Sequence, residues 1–399
     1  MLAIYLSPIY ILVNLYMFRW LIRWMGACHH WFQKKWMRVG AAGVYFFMAF
    51  SLLIGFLLPA GQLQRFFKSL GNYWLGVLLY AILAVVVADL IRLILRRVKR
   101  IDQNKLRSRR TLALGGGIAL AIIAVVSIWG VINARIIRTT EYEITVAKDG
   151  GNLNELKVVL LADLHLGYNI GCRQMEEMTE KVNAQNPDLV VIAGDIFDNE
   201  YEALDDPDRL ISILKGIQSK YGVYACYGNH DIQEKILAGF TFGSKDEKKV
   251  SDPRMDEFLE KAGITLLQDE GLLIDDSFYL YGRPDEKRPG RGITKRAEPE
   301  EITEDMDQEK PIIVIDHEPS ELGELSKAGV DVDLCGHTHD GQMFPGNLTI
   351  DLLWENAYGY LKKGDMHNIV TSGVGLFGPN MRVGTKAEIC SITIQFEAA

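Results

Sequence analysis

Between residues 40 and 132 the chain carries three long apolar runs: "GAAGVYFFMAFSLLIGFLLPA" (40–60), the stretch 73–95 around "GVLLYAILAVVVA", and "TLALGGGIALAIIAVVSIWGVI" (111–132). A helix needs about 20 apolar residues to cross the hydrocarbon core of a bilayer, where each peptide group must be satisfied within its own segment. Each of the three runs is that long. A fourth run, 2–18, is shorter and contains Asn14, but it lacks the basic start and small-residue cleavage site of a secretory signal, and it is read as a span too. Residues 1–138 are therefore expected to form an all-α region of four transmembrane helices, 2–18, 40–60, 73–95 and 111–132.

Charge divides the chain at the same place. Residues 1–138 hold 18 of the 43 Lys/Arg and only two acids, Asp89 and Asp102, whereas 139–399 hold 25 basic residues against 49 acids. Halves of net charge +16 and −24 do not belong in one solvent environment. The basic residues concentrate in the first loop (Arg19, Arg23, Lys34, Lys35, Arg38) and the third (Arg96 to Arg110), while the second offers Arg65 and Lys68. Loops rich in Lys and Arg stay in the cytoplasm, which puts both termini and the acidic half outside. The expected location is the cell membrane, multi-pass, with the C-terminal domain extracytoplasmic. Asp89 and Arg92 read as a structural pair along one helix, and the spans as an anchor. Five cysteines, odd in number and widely spaced, do not suggest a disulfide framework.

From residue 155 the pattern changes to short apolar runs alternating with helical periodicity, after a linker over 139–154 in which 141–148 reads as strand or linker. "KVVLLADLH", "PDLVVIAGD" and "GVYACYGNHD" are buried strands, and 173–185 and 205–220 are helices between them. Further strands are expected at 264–267, 278–281, 311–316, 332–335, 369–373 and 388–396. Such alternation implies an α/β fold with parallel pairing. Asp163, Asp195 and Asn229 each follow a strand, so they arrive at one sheet edge, where open α/β sheets place their sites.

Histidine marks the same edge. Five of the eight occupy strand-end contexts: His165 in "DLH", His230 in "GNHD", His317 in "DHEP", and His337 and His339 in "GHTH". If the backbone there is extended, residues two apart point the same way, so Asp163 with His165, and His337 with His339, can share a target. Imidazole, carboxylate and amide oxygen together suit divalent transition metals. About seven donors suit two ions better than one, with a bridging carboxylate, and Asp195 on the middle strand is best placed to bridge.

In order along 155–397, the motifs "DLHLG", "GDIFD", "GNHD", "DHEP" and "GHTHDGQ" resemble the calcineurin-like metallophosphoesterase superfamily. The closest resemblance is to its membrane-associated branch, with similar "GHTHGGQ" and "SGVG…R" segments. The resemblance implies a two-sheet α/β sandwich over 155–399. It also implies two divalent metal ions, manganese, iron or zinc, with manganese the first choice. Asp163, His165, Asp195 and His339 would hold one; Asp195, Asn229, His317 and His337 would hold the other. His230 would be the general-acid or transition-state-stabilising histidine. The implied activity is hydrolysis of a phosphomonoester or phosphodiester by a metal-activated hydroxide, with lipid-linked and envelope substrates among the candidates at a membrane. The alternative from another class is a catalytically silent metal-binding sensor signalling through the spans. The charge of the acidic half argues against nucleic acid, and no protein partner can be inferred. The basic stretch "RPDEKRPGRGITKR" (283–296) is read as a solvated loop in preference to a phosphate site, and Arg382 as a residue near the site. Asp340, where the resembling branch has glycine, is expected to face solvent or stand behind a ligand. His29, His30 and His367 carry no motif.

Overall fold

The computed structural model describes residues 2–234, 236–237, 240–241, 252–288 and 293–397. Residues 289–292, inside the basic stretch, lie outside the described residues. The chain divides into two compact units, one made mainly of residues 1–132 and one mainly of 133–235, 243–377 and 382–399.

The first unit is helical: α1 (Leu2–Cys28), α2 (Lys35–Leu57), α3 (Gln62–Arg97), α4 (Gln103–Leu106) and α5 (Arg109–Asn133). Three of these, α2, α3 and α5, are long and apolar enough to cross a membrane, and they contain most or all of the expected runs 40–60, 73–95 and 111–132. Among the described residues three candidate spans are present. The segment 2–18 also folds as helix, within α1, which runs on through Arg19 and Arg23. Asn14 is buried yet satisfied, donating to the Tyr10 carbonyl at 2.8 Å and accepting from the Tyr45 hydroxyl of α2 at 3.1 Å. Helices α2 and α3 pack most closely where glycine removes the side chain: a Cβ on Gly71 would lie 2.6 Å from Cβ of Leu52.

The second unit holds β1 (Ile137–Val146), β2 (Glu155–Leu161), α6 (Cys172–Ala184), β3 (Leu189–Ala193), α7 (Pro207–Lys215) and β4 (Val223–Cys226). A two-stranded ribbon follows, β5 (Ile236–Leu237) and β6 (Phe240–Thr241), which clusters with the first unit. The second unit continues with α8 (Pro253–Lys261), β7 (Ile264–Leu266), β8 (Glu270–Ile274), β9 (Phe278–Gly282), α9 (Pro299–Thr303) and β10 (Ile312–Ile315). It ends with α10 (Leu322–Lys327), β11 (Val332–Cys335), β12 (Gly359–Lys363), β13 (Met366–Val370) and β14 (Ala387–Phe396).

The strands form two mixed six-stranded sheets, ordered β1-β14-β2-β3-β4-β7 and β12-β13-β11-β10-β9-β8. Alternate residues of each central strand serve different cores, as the two-residue period of a strand requires. In β2, Val158 and Leu160 enter the core between the sheets, facing Ile313, Ile315, Val332 and Leu334. Val159 and Leu161 point the other way, with Met175, Leu210 and Phe258 of the covering helices. The second sheet buries its outer face against Ile302 of α9 and Leu322 and Leu325 of α10. This is why the central strands read as continuous apolar runs: both faces are covered.

The segment expected as a linker is in large part structural. Ile137–Val146 is a strand paired parallel to β14 over all ten of its residues. Strands β8 and β12, unmarked by any long apolar run, form the two edges of the second sheet. All five cysteines are free, four of them buried.

Candidate metal centre

The central strands stop short of the chemistry. β2 ends at Leu161, β3 at Ala193 and β11 at Cys335. Beyond these ends the backbone turns into left-handed conformations at Asp163 (φ 53°), His165 (45°), Asp195 (48°), His337 (71°) and His339 (53°). Such angles are uncommon for residues with a Cβ, and they are held only where surroundings dictate them. The geometric reasoning from extended backbone is therefore corrected. Asp163 and His165 do converge, but through turns, and His337 and His339 do not share a target.

The side chains form three groups. Asp163, His165 and His339 bring ligand-type atoms within 4.8 Å of one another, as do Asp195, His317 and His337, and as do His165, Asp198 and His230. The Nε2 atoms of His165 and His339 are 3.1 Å apart. His317 Nε2 lies 3.1 Å from both His337 Nδ1 and Asn229 Oδ1. A single carboxylate oxygen faces two of the groups: Asp195 Oδ2 is 3.7 Å from His165 Nε2 and 3.3 Å from His317 Nε2.

Each of these groups is fixed from behind. His317 donates its Nδ1–H to the Ala193 carbonyl at 2.9 Å, which turns Nε2 toward Asp195. The His230 amide donates to Asp195 Oδ1 at 2.7 Å, and the His337 amide donates to both oxygens of Asp163. Gly194 and Gly228 permit this crowding, since a Cβ on either would fall within 3 Å of His317 or Asp195.

The electrostatics divide the imidazoles into two kinds. Burial alone would lower His165 and His317, but the carboxylates around them (Asp198 and Asp195 for the first, Asp195 for the second) hold both above the usual range. Burial pushes His337 down to about 3, and it holds His339 well below the ordinary value. Burial also raises Asp163 to about 6, whereas Asp195, despite burial, is held well below the carboxylate range by His317. Buried nitrogens and oxygens that face one another across about 3 Å match neighbouring ligands on a cation with bonds of about 2.1 Å. The residues fit a metal pair.

Several contributors carried no assignment in the sequence reading. Asp198 Oδ1 stands 3.7 Å from Nδ1 of both His165 and His230. Burial pushes His230 down to about 4, with Asp195 opposing the shift. The Phe377 ring lies 5.1 Å from His230 and 6.1 Å from His165, and Trp354 lies edge-on 5.2 Å from His337. Gln342, the last residue of "GHTHDGQ", clamps Phe377 by its main chain: its amide nitrogen donates to the Phe377 carbonyl at 2.9 Å and its oxygen accepts the Phe377 N–H at 2.8 Å. Glu318 Oε1 is 3.5 Å from His337 Nε2, on the side away from His317.

The remaining residues fall into place as follows. Arg382 is fully buried, donating to the carbonyls of His339, Ser372, Gly373 and Gly375. It braces the loop around His339 from within. Asp340 is half-buried at φ 53° and belongs to none of the three groups. That left-handed angle accounts for glycine in the resembling segment, and aspartate tolerates it better than most residues. Of the basic stretch, Arg283 and Arg296 are buried on Asp316 and Glu321, and Lys295 pairs with Glu298. Arg288 donates to the Asn229 carbonyl at 3.2 Å. His367 lies between the Tyr360 hydroxyl and the Thr145 carbonyl.

The family model described as calcineurin-like phosphoesterase matches residues 156–341. A zebrafish (Danio rerio) protein named "transmembrane protein with metallophosphoesterase domain" is 28% identical over 346 residues, covering 81% of this chain and 74% of its own. An uncharacterised metallophosphoesterase of Campylobacter jejuni is 27% identical over 365 residues, covering 88% and 90%. A more distant relative, 22% identical over 240 residues and covering 52% and 70%, is named UDP-2,3-diacylglucosamine pyrophosphatase, of Chlamydia trachomatis.

Proposed function

We propose, from the premise that the C-terminal part of this chain is a calcineurin-like metallophosphoesterase domain and so a hydrolase of phosphoric esters, that it is a membrane-anchored two-metal phosphoesterase. The observation that carries this reading is Asp195, whose Oδ2 faces His165 on one side and His317 on the other. Asp163, His165, Asp195 and His339 hold one ion; Asp195, Asn229, His317 and His337 hold the second. When bound, such ions supply Lewis acidity toward the phosphoryl oxygens and a nucleophilic water at neutral pH.

The chain's own residues do the rest. His317 is locked in orientation by its proton on the Ala193 carbonyl, and Asp195 by the His230 amide. Hydrogen bonds behind metal ligands fix ring orientation and tautomer. Asp198 lies 3.7 Å from Nδ1 of His230, and that ring can offer a proton or hydrogen bond to the phosphoryl group as the ester oxygen departs. Phe377 and Trp354 wall the histidines with apolar surface, which strengthens every charge interaction inside.

The helices α2, α3 and α5 anchor the chain as a multi-pass protein of the cell membrane. The basic loops belong in the cytoplasm, which leaves the metal centre outside. A domain tethered there meets phosphoesters carried on lipids, and the name of the chlamydial relative describes a nucleotide diphosphate joined to an acylated sugar. A lipid-linked or envelope phosphoester is accordingly the substrate class. The test is a panel of aryl phosphomonoesters, aryl phosphodiesters and lipid phosphates, offered to the full-length protein in detergent with Mn2+, Fe2+ or Zn2+ and with chelator. Hydrolysis that chelator abolishes and metal restores is expected; no hydrolysis of any compound with any of the three metals would overturn the reading.

A further inference from the structure

In the helical unit a cavity of about 530 Å3 is lined by four arginines, Arg19, Arg23, Arg38 and Arg109, with Phe18 and Leu112 among its apolar walls. The four come from three helices. Arg19 and Arg23 are one turn apart on α1, Arg38 lies in the first turn of α2, and Arg109 opens α5. The arrangement is pinned at Gly26, whose carbonyl accepts from Arg109 at 2.8 Å and from Gln33 at 3.0 Å.

No acid is among the residues that line the cavity. The two acids among residues 1–138 are occupied elsewhere. Asp89 accepts from the Tyr16 hydroxyl, and Asp102 caps α4 by accepting the amides of Asn104 and Lys105. All four arginines are exposed to solvent, so the open cavity presents their guanidinium groups to an incoming anion. Their planar forks match phosphate oxygens better than any other side chain does.

The surroundings say where that anion comes from. Arg38 and Arg109 stand just before the apolar runs of α2 and α5, at the level where hydrocarbon gives way to headgroups. We propose that this cavity binds the phosphate headgroup of an anionic membrane lipid. Basic pockets between membrane helices recognise phosphate headgroups in this way. The inference concerns the helical unit alone and stands whether or not the metal centre hydrolyses phosphoesters.

The test uses the full-length protein in detergent, offered phosphatidylglycerol, phosphatidylcholine or inorganic phosphate, with bound lipid counted by native mass spectrometry. One variant combines Arg19→Gln, Arg23→Gln and Arg38→Gln. A second combines Arg96→Gln, Arg97→Gln and Lys99→Gln, removing the same charge from exposed positions outside the cavity. The wild type should retain phosphatidylglycerol over phosphatidylcholine, and excess inorganic phosphate should not displace it. Each headgroup-proximal arginine is worth about fivefold in affinity, so the cavity variant should lose more than tenfold while the second variant keeps its preference. If the cavity variant does not elute as a folded species, Arg38→Gln alone should show the loss of about fivefold. Equal losses in both variants, or no preference between the lipids, would overturn the proposal. Displacement by inorganic phosphate at concentrations like those of the lipid would overturn the assignment to a lipid.

Discussion

At the scale of single residues, the site is built from side chains that the backbone presents at a conformational cost. Asp163, His165, Asp195, His337 and His339 all lie at positive φ, and each such residue costs of order 1–3 kcal/mol that surrounding contacts must offset. The motifs made these residues legible because their chemistry is distinctive and their order along the chain is informative. Asp198 was quoted within "GDIFD" yet had no evident task, since its contacts to His165 and His230 depend on how two strand ends approach. Phe377, Trp354 and Gln342 were silent for the same reason: nothing in an aromatic or an amide announces which ring it will shield or which main chain it will clamp. His230 separates chemistry from metal binding. His230→Ala should lower turnover by about 10²–10⁴-fold while metal content by elemental analysis stays at the wild-type level. A parallel loss of metal would make His230 a ligand or a structural residue.

At the scale of elements, legibility follows burial. Strands β2, β3, β10 and β11 are covered on both faces, so each is a run of apolar residues that reads as a strand without further help. Strands β8 and β12 sit at the edges with much of their surface exposed, and their apolar runs, Leu272–Ile274 and Tyr360–Leu361, are too short to be recognised alone. Strand β1 alternates polar and apolar residues and was indistinguishable from a linker. Its pairing with β14, and the burial of Ile137, Ile144 and Val146, identify it as part of the first sheet. A fragment beginning at Asn133 should therefore be monodisperse by size-exclusion chromatography. One beginning at Glu155 should aggregate, because it leaves the edge of β14 unpaired. Identical behaviour of the two would deny β1 its structural part.

At the scale of the whole molecule, the division of charge and hydropathy predicts the arrangement across the membrane. The basic loops flanking the apolar helices should be cytoplasmic and the acidic C-terminal unit outside. Protease added to spheroplasts should remove an epitope placed after the last residue without permeabilisation. Protection until the inner face is opened would put the domain in the cytoplasm. What the sequence determined unaided were properties carried by composition and order: long apolar runs, the charge contrast, the alternating α/β pattern and the five motifs. These depend on local transfer energies and on residue chemistry, both of which are present in a linear chain. What only the tertiary structure decided were the approach of Asp198 to both His165 and His230, the placing of one Asp195 oxygen toward both His165 and His317, and the gathering of four arginines from three helices around one cavity. Each of these is a distance between residues remote in sequence, set by sheet order and helix packing, and no local preference encodes it.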